Sequence, residues 1–389
     1  MKIKLGIIFA LAISFMACEN QERVFDDFGS TSVYFPFQTP ARTIIQGKYD
    51  LGFNDNDNNG RFEIGVTMSG VYENGTDRRV FFELDPSLID PANLGASDVN
   101  VKILPESYYT IEQESPVTIP AGSIKGRIPV QLTDAFFDDP LSFVVEKDSV
   151  NYVIPLRITD YEGLDSLLTG VPNVGITNPK RVIATDWATL PKDYTLFGIK
   201  YMNKYQGIYL RRGEDKTVGI TSVVKVYEDP DKETESTIID IDTSTVYRQD
   251  FVVQDELTPV NTAARDKAIS TNFVRRAGFP DGVELSLLLT IDENEDIVIT
   301  NADEESEYVI TGSGRFLENG DEWGGESRDV IYLEYEYQDQ TITIEEERFF
   351  GRLVSTTTST LDLQHTVNDT LVIRDRDVKF EQFNVLLTP

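Results

Sequence analysis

Histidine and cysteine are almost missing: the 389 residues hold one of each, His365 and Cys18. That excludes Cys/His zinc clusters, HExxH metalloproteases and an intrachain disulfide. Basic residues are scarce as well, 35 Lys+Arg against 66 Asp+Glu, for a formal charge of −31. A nucleic-acid partner is excluded, because no basic excess remains to neutralise phosphates. Electrostatic docking on anionic lipid is disfavoured for the same reason. No apolar run after the first twenty residues approaches the length of a membrane span. Neither a repeat period nor a low-complexity tract is present, and no cofactor is expected. Carboxylate chemistry is the enzymatic option the composition leaves open. What the chain does have is 40% hydrophobic and 11% aromatic residues, too many for a disordered chain and enough for two or three domains.

The N-terminus has the layout of an export signal. Lys2 and Lys4 precede an apolar run from Leu5 to Phe15, which ends at Ala17-Cys18 and the polar stretch Glu19-Asn20-Gln21-Glu22-Arg23. The run is too short to span a bilayer but suits a signal segment. The single cysteine stands where a bacterial lipoprotein signal places its lipid-accepting thiol, so residues 1–17 read as signal peptide and Cys18 as the lipidation site. An acylated, diacylated cysteine carries more than one chain, which satisfies the two-signal rule for stable anchoring. Residues 18–30, with Glu19, Glu22, Asp26 and Asp27, read as an acidic tether.

From residue 31 the periodicity is two. Phe62, Ile64, Val66 and Met68 alternate with polar or small neighbours, as do Ile128, Val130 and Leu132, and Ile154, Leu156 and Ile158. These runs predict half-buried antiparallel strands, with Pro129 and Pro155 marking edges or bulges. Short strands between turn signals point to an immunoglobulin-like β-sandwich over 31–170. A Gly/Pro-rich stretch places a linker at 171–185. Beyond it, Val283–Ile291 and Ile331–Tyr337 alternate again, and eight or more strands suit an antiparallel barrel, lipocalin-like, or a jelly-roll-like sandwich over 186–389. A short helix is expected within 261–278.

Four groups are candidates for chemistry. Asp55, Asp57 and Asn59 open like a calcium loop, but Val66 stands where the bidentate Glu belongs. A polar hairpin loop explains the same residues. Acidic pairs such as Asp138/Asp139 and Glu345/Glu346 could serve a glycosidase, although none sits in a catalytic frame. Trp323, beside Asp321 and Glu322 in a glycine-rich loop, fits sugar binding: an aromatic plane for pyranose stacking with carboxylates for hydroxyls. The alternative is a Trp plugging the barrel mouth. Tyr205 and Asn203 form a second aromatic–amide cluster. Trp187 is expected to seal the domain junction, and His365, in a Thr-rich strand, to cover surface.

Val33-Tyr34-Phe35-Pro36-Phe37-Gln38, Val130-Gln131-Leu132-Thr133-Asp134, Ala184-Thr185-Asp186-Trp187 and Pro191-Lys192-Asp193-Tyr194 resemble a Bacteroidetes-type family of two-domain surface lipoproteins from Sus-like polysaccharide-utilisation loci. The resemblance spans the mature chain. It implies an immunoglobulin-like first domain and a β-rich second one. It also implies display on the outer membrane facing the exterior, and capture of a polysaccharide beside a TonB-dependent transporter complex. It brings no binding residues with it. The leading expectation is therefore a non-catalytic glycan-binding lipoprotein for a neutral oligo- or polysaccharide, held to the membrane by its lipid alone. A carboxylate glycoside hydrolase and a structural or apolar-ligand-carrying lipoprotein are the alternatives.

Overall fold

The computed structural model describes residues 27–49, 52–143, 149–274, 283–306 and 308–388. Two all-β bodies result. The first is an immunoglobulin-like sandwich. One sheet runs in the order Ser166–Leu167, Ser32–Tyr34, Arg61–Ser69, Lys125–Leu132, Tyr109–Ile111; the other includes Pro40–Ile45, Tyr194–Met202, Tyr152–Glu162, Arg78–Leu84 and Val117–Ile119. The alternating residues of both sheets, among them Ile64, Val66, Ile128, Ile154 and Leu156, form one buried apolar cluster. That cluster is what period-2 patterning produces when two sheets cover each other's inner faces.

Both prolines lie on inner strands, not edges. Pro129 lies between Arg61–Ser69 and Tyr109–Ile111, and its carbonyl accepts from Glu112, just past the end of the shorter strand. Pro155 likewise accepts from Asp85, one residue beyond Arg78–Leu84. A strand residue's N–H and C=O point to the same side, so each missing donor faces a place where the neighbouring strand has stopped.

The second body is a closed up-and-down barrel. Eight strands follow each other: Gly207–Tyr227, Glu256–Ala264, Lys267–Val274, Val283–Ile291, Asp296–Asn301, Ile310–Trp323, Glu326–Phe349 and Arg352–Asp375. Arg352–Asp375 returns to pair with Gly207–Tyr227 from Ile208↔Asp375 to Tyr227↔Ser355, which closes the ring. Of the two expected architectures, the barrel is the one formed. Over 261–274, the described part of the expected helix within 261–278, the chain forms a hairpin between Glu256–Ala264 and Lys267–Val274, because Asn261, Thr262 and Ala264 pair across it. Three strands are far longer than the barrel wall requires. At 24 residues such a strand is about 80 Å long. With Glu235–Tyr247 added on one edge, they continue past the barrel as an exposed four-stranded sheet.

The expected linker at 171–185 does not separate the bodies. Val171–Pro172 pairs with Trp187–Thr189, and the chain then re-enters the sandwich as Tyr194–Met202, parallel to Pro40–Ile45 and antiparallel to Tyr152–Glu162. Trp187 therefore belongs to an excursion of the sandwich, half-buried, with its Nε1–H donating to the Lys180 carbonyl at 2.8 Å. The C-terminus returns too. Glu381–Gln382 pairs with Pro40–Ala41, Leu387–Thr388 with Asp98–Val99, and Phe383 is buried in the sandwich's second apolar cluster. Phe383 fits a notch that only glycine leaves open: a Cβ on Gly198 would stand 2.9 Å from its ring. The barrel is an insertion in the sandwich, entered after Asn203 and left near Arg376.

Residues 1–26 and with them Cys18 lie outside the described residues. The tether's far end is already docked: the Phe28 amide donates to the Gly70 carbonyl at 3.0 Å, and Asp27 accepts from the Tyr72 amide at 2.6 Å. No helix among the described residues is long and apolar enough to cross a membrane.

Candidate functional site

Trp323 ends one strand of a hairpin whose turn is Gly324-Gly325, with φ of +67° and +81°. Two successive positive φ values are what a tight two-residue hairpin turn needs, and glycine adopts them without strain. The register is Trp323↔Glu326, Glu322↔Ser327 and Asp321↔Arg328. On Glu326–Phe349 the residues that belong to the barrel's inner apolar cluster are Ile331, Leu333, Tyr335 and Tyr337, so Arg328 and Glu326 have outward parity, and so do Asp321 and Trp323 opposite them. Trp323 is half-buried on the outer surface and does not plug the barrel.

Arg328 shapes this face and was not among the sequence candidates. Its guanidinium lies over the indole at 4.4 Å from the ring centroid, held by the Arg374 carbonyl at 3.2 Å and by Glu326 at 3.4 Å. Such a cation over Trp fixes the ring's orientation. Asp321 is exposed on the same face, whereas Glu322, also exposed, is on the opposite one. The alternation of a strand separates the two carboxylates that adjacency in sequence had grouped. The signal for Arg328 was present: it lies five residues after Trp323 across a GG turn, which makes it the partner of Asp321.

Tyr205 and Asn203 are buried structural residues at the seam between the two bodies. Asn203 donates to the Ala264 and Lys267 carbonyls at 2.9 and 2.8 Å and accepts from the Tyr205 and Gln206 amides. Tyr205 donates to Glu295 at 3.0 Å and meets Phe316 edge-on. Burial first, then the Glu295 charge, pushes its hydroxyl's pKa up. Arg376 ties the seam, donating to the carbonyls of Gln46 and Asn203 at 2.6 and 3.1 Å and to that of Lys204. Neither Tyr205 nor Asn203 offers a ligand its polar atoms.

The calcium-loop residues form a single helical turn, Asp55–Asn58. Asp57 is buried, with one oxygen on Arg42 at 2.5 Å and the other on the Ile45 amide at 2.9 Å. Both oxygens serve the fold, so Asp57 is an anchor for the Pro40–Ile45 strand. Burial pushes its pKa up, against the pull of Ile45 and Arg42. No His/Cys/Asp/Glu cluster with metal-ligand geometry occurs among the described residues.

His365 is fully buried, contrary to the surface role expected. It pairs across the sheet with Tyr337 and Thr217, all of inward parity. Its Nδ1 meets Asp215 at 3.0 Å and its ring stacks on Tyr337 at 4.3 Å. Also buried, Arg211 binds Asp369 at 3.0 Å and Tyr247 at 2.9 Å. Tyr335 also donates to Asp369, at 3.1 Å. The barrel interior is filled by this network and by apolar side chains, an arrangement that suits a packed core better than an apolar cargo.

The family model for a domain of unknown function, DUF5627, matches residues 204–377, the inserted barrel. A model for an N-terminal domain matches residues 28–165 in the sandwich. Among solved structures, the chain is similar to a protein of unknown function from Bacteroides ovatus, with 27% identity and a TM-score of 0.71 over 93% of this chain and 100% of that one. A multidomain protein from Bacteroides ovatus has 14% identity and a TM-score of 0.38, covering 90% and 96% of the two chains. An auxiliary nutrient binding protein from Bacteroides thetaiotaomicron has 13% identity and a TM-score of 0.32, covering 90% and 94%. No curated protein matches.

Proposed function

We propose that the protein is a non-catalytic, lipid-anchored binder of a neutral glycan. In this reading it is displayed on the outer membrane and delivers polysaccharide to a transporter complex. One observation carries the reading: Trp323 stands on the outer surface of a hairpin, oriented by Arg328 and flanked by Asp321. An oriented aromatic face beside hydroxyl acceptors is the recipe for sugar recognition. A single stacked sugar contributes on the order of 1 kcal/mol, so one site is weak. Many anchored copies offset that weakness multivalently. A strongly acidic chain repels anionic polysaccharides, which favours neutral ones.

The test is affinity electrophoresis of the form lacking residues 1–18 through gels containing starch, xyloglucan, mixed-linkage β-glucan or yeast mannan. Retardation by one of these gels, abolished in Trp323→Ala with the melting temperature unchanged, is the expected result. Release of reducing ends from the retarding polysaccharide would replace binding by hydrolysis. Anchoring is tested separately. Cys18→Ala moves the protein from the membrane pellet to the soluble fraction, and retention in the pellet contradicts lipidation.

A further inference from the structure

We propose that a groove on the sandwich, lined by Tyr49, Phe53 and Phe380, is a second subsite for the same neutral glycan, so that the preferred ligand is a linear polysaccharide long enough to lie across both bodies. The proposal rests on the Trp323 reading and extends it to a groove beside the helical turn Asp55–Asn58.

The groove has a volume of about 250 Å³. Phe53 is completely exposed, Phe380 is 65% exposed and Phe37 beside it 44%. The Phe37 and Phe380 rings lie 4.9 Å apart at 49°. Three phenylalanines left this open on one patch cost hydrophobic free energy that folding alone does not recover. Flat rings at the rim of a groove are what the CH faces of a sugar chain stack on.

The charges in and beside the groove are neutralised. Arg42 is paired with Asp57 at 2.5 Å and Lys379 with Asp377 at 3.0 Å. Among the described residues that line the groove, no unpaired charge therefore selects an ionic ligand. Asn54 donates to the Ile45 and Gly47 carbonyls at 3.0 and 2.7 Å, which holds the loop under Phe53. Thr43, a neutral polar residue, also lines the groove. The recipe is again an apolar wall with a few neutral polar groups.

The two platforms adjoin. Lys48, next to Tyr49, donates to Asn319 at 3.2 Å. Asn319 is four residues from Trp323, at most about 14 Å along the chain. One extended ligand can thus touch both, and the second contact becomes intramolecular. Affinity should then rise steeply once oligomers are long enough to bridge, on the order of a hundredfold over short ones.

The experiment uses the soluble full chain, whichever of the four gels retards it, and size-fractionated oligomers of that polysaccharide in calorimetric titrations. The variants are Trp323→Ala and the groove double variant Phe53→Ala/Phe380→Ala, with melting temperatures checking the fold. The proposal expects the groove variant to bind short oligomers like the wild type while losing the gain for long ones. If the groove variant keeps the full length dependence, the second subsite is overturned and the Trp323 reading stands. If Trp323→Ala leaves all binding intact, the Trp323 reading fails, and the two-site ligand fails with it. Retardation by none of the gels overturns both.

Discussion

In the sandwich, Val66, Ile128, Ile154 and Leu156 belong to one apolar cluster, and the ion pairs lie around it. The barrel instead encloses charge: Arg211 and Asp369 are almost inaccessible at its centre, clasped by Tyr247 and Tyr335. The sandwich is held by area removed from water, which tolerates small losses piecemeal. The barrel's centre is held by mutual satisfaction, which does not. Taking one partner from a buried pair leaves the other charge stranded, while replacing both can be nearly neutral. Two β bodies of similar secondary structure thus respond to truncation in different ways.

The largest effect expected from this contrast is Arg211→Ala, which should cost roughly 3–5 kcal/mol in the barrel's unfolding transition. The double variant Arg211→Met/Asp369→Leu should recover most of that loss. Denaturant melts read by barrel amide exchange check both, and additive losses in the double variant would erase the distinction drawn here. Phe383→Ala comes next, at about 3 kcal/mol. The loss should appear in sandwich amides and leave barrel amides unchanged; loss confined to the barrel would place the tail's contribution in the wrong body.

A smaller effect is pH-dependent. Asp139 accepts from the hydroxyls of Tyr152 and Tyr108 and the Leu141 amide. Burial pushes its carboxyl up, but these hydrogen bonds prevail and hold it below the usual value. A lowered folded pKa contributes stability above about pH 4 that is lost as pH falls through it. Asp139→Asn should therefore destabilise by about 1 kcal/mol near neutrality, with the gap closing in acid melts below about pH 4. A gap that widens in acid would reverse the assignment. Trp323→Ala should be smallest in stability, within about 0.5 kcal/mol, as for surface positions. A large loss in thermal melts would make the indole a structural element.

The strands themselves were legible. Val283–Ile291 and Ile331–Tyr337 alternate cleanly, and Trp323 stood out because a GG turn follows it. Pairings between distant segments were not. Nothing local tells that Gly207–Tyr227 meets Arg352–Asp375, or that Tyr194–Met202 rejoins the sandwich's second sheet after a Gly/Pro-rich detour. Asn203 and Tyr205 looked like a binding cluster because an amide beside an aromatic reads the same whether sugar or the Ala264 carbonyl is its partner. His365 was misjudged because threonines surround it in sequence, while the side chains that cover it, Tyr337 and Asp215, come from other strands. At the Phe53 groove the sequence marked only the acidic loop with Asp57, because Phe53 and Phe380, whose rings line it, come from segments more than 300 residues apart.

Because Glu381–Gln382 and Phe383 complete the sandwich from the far end of the chain, the domain that begins first finishes last. A nascent chain exposes the Pro40–Ile45 edge, and the cluster of Val99, Val150 and Leu196, until all of the barrel has followed. An unpaired edge beside open apolar surface invites wrong partners during that interval. A stop codon between Arg376 and Glu381 would therefore yield a molecule whose barrel is whole and whose sandwich is left without its last strands.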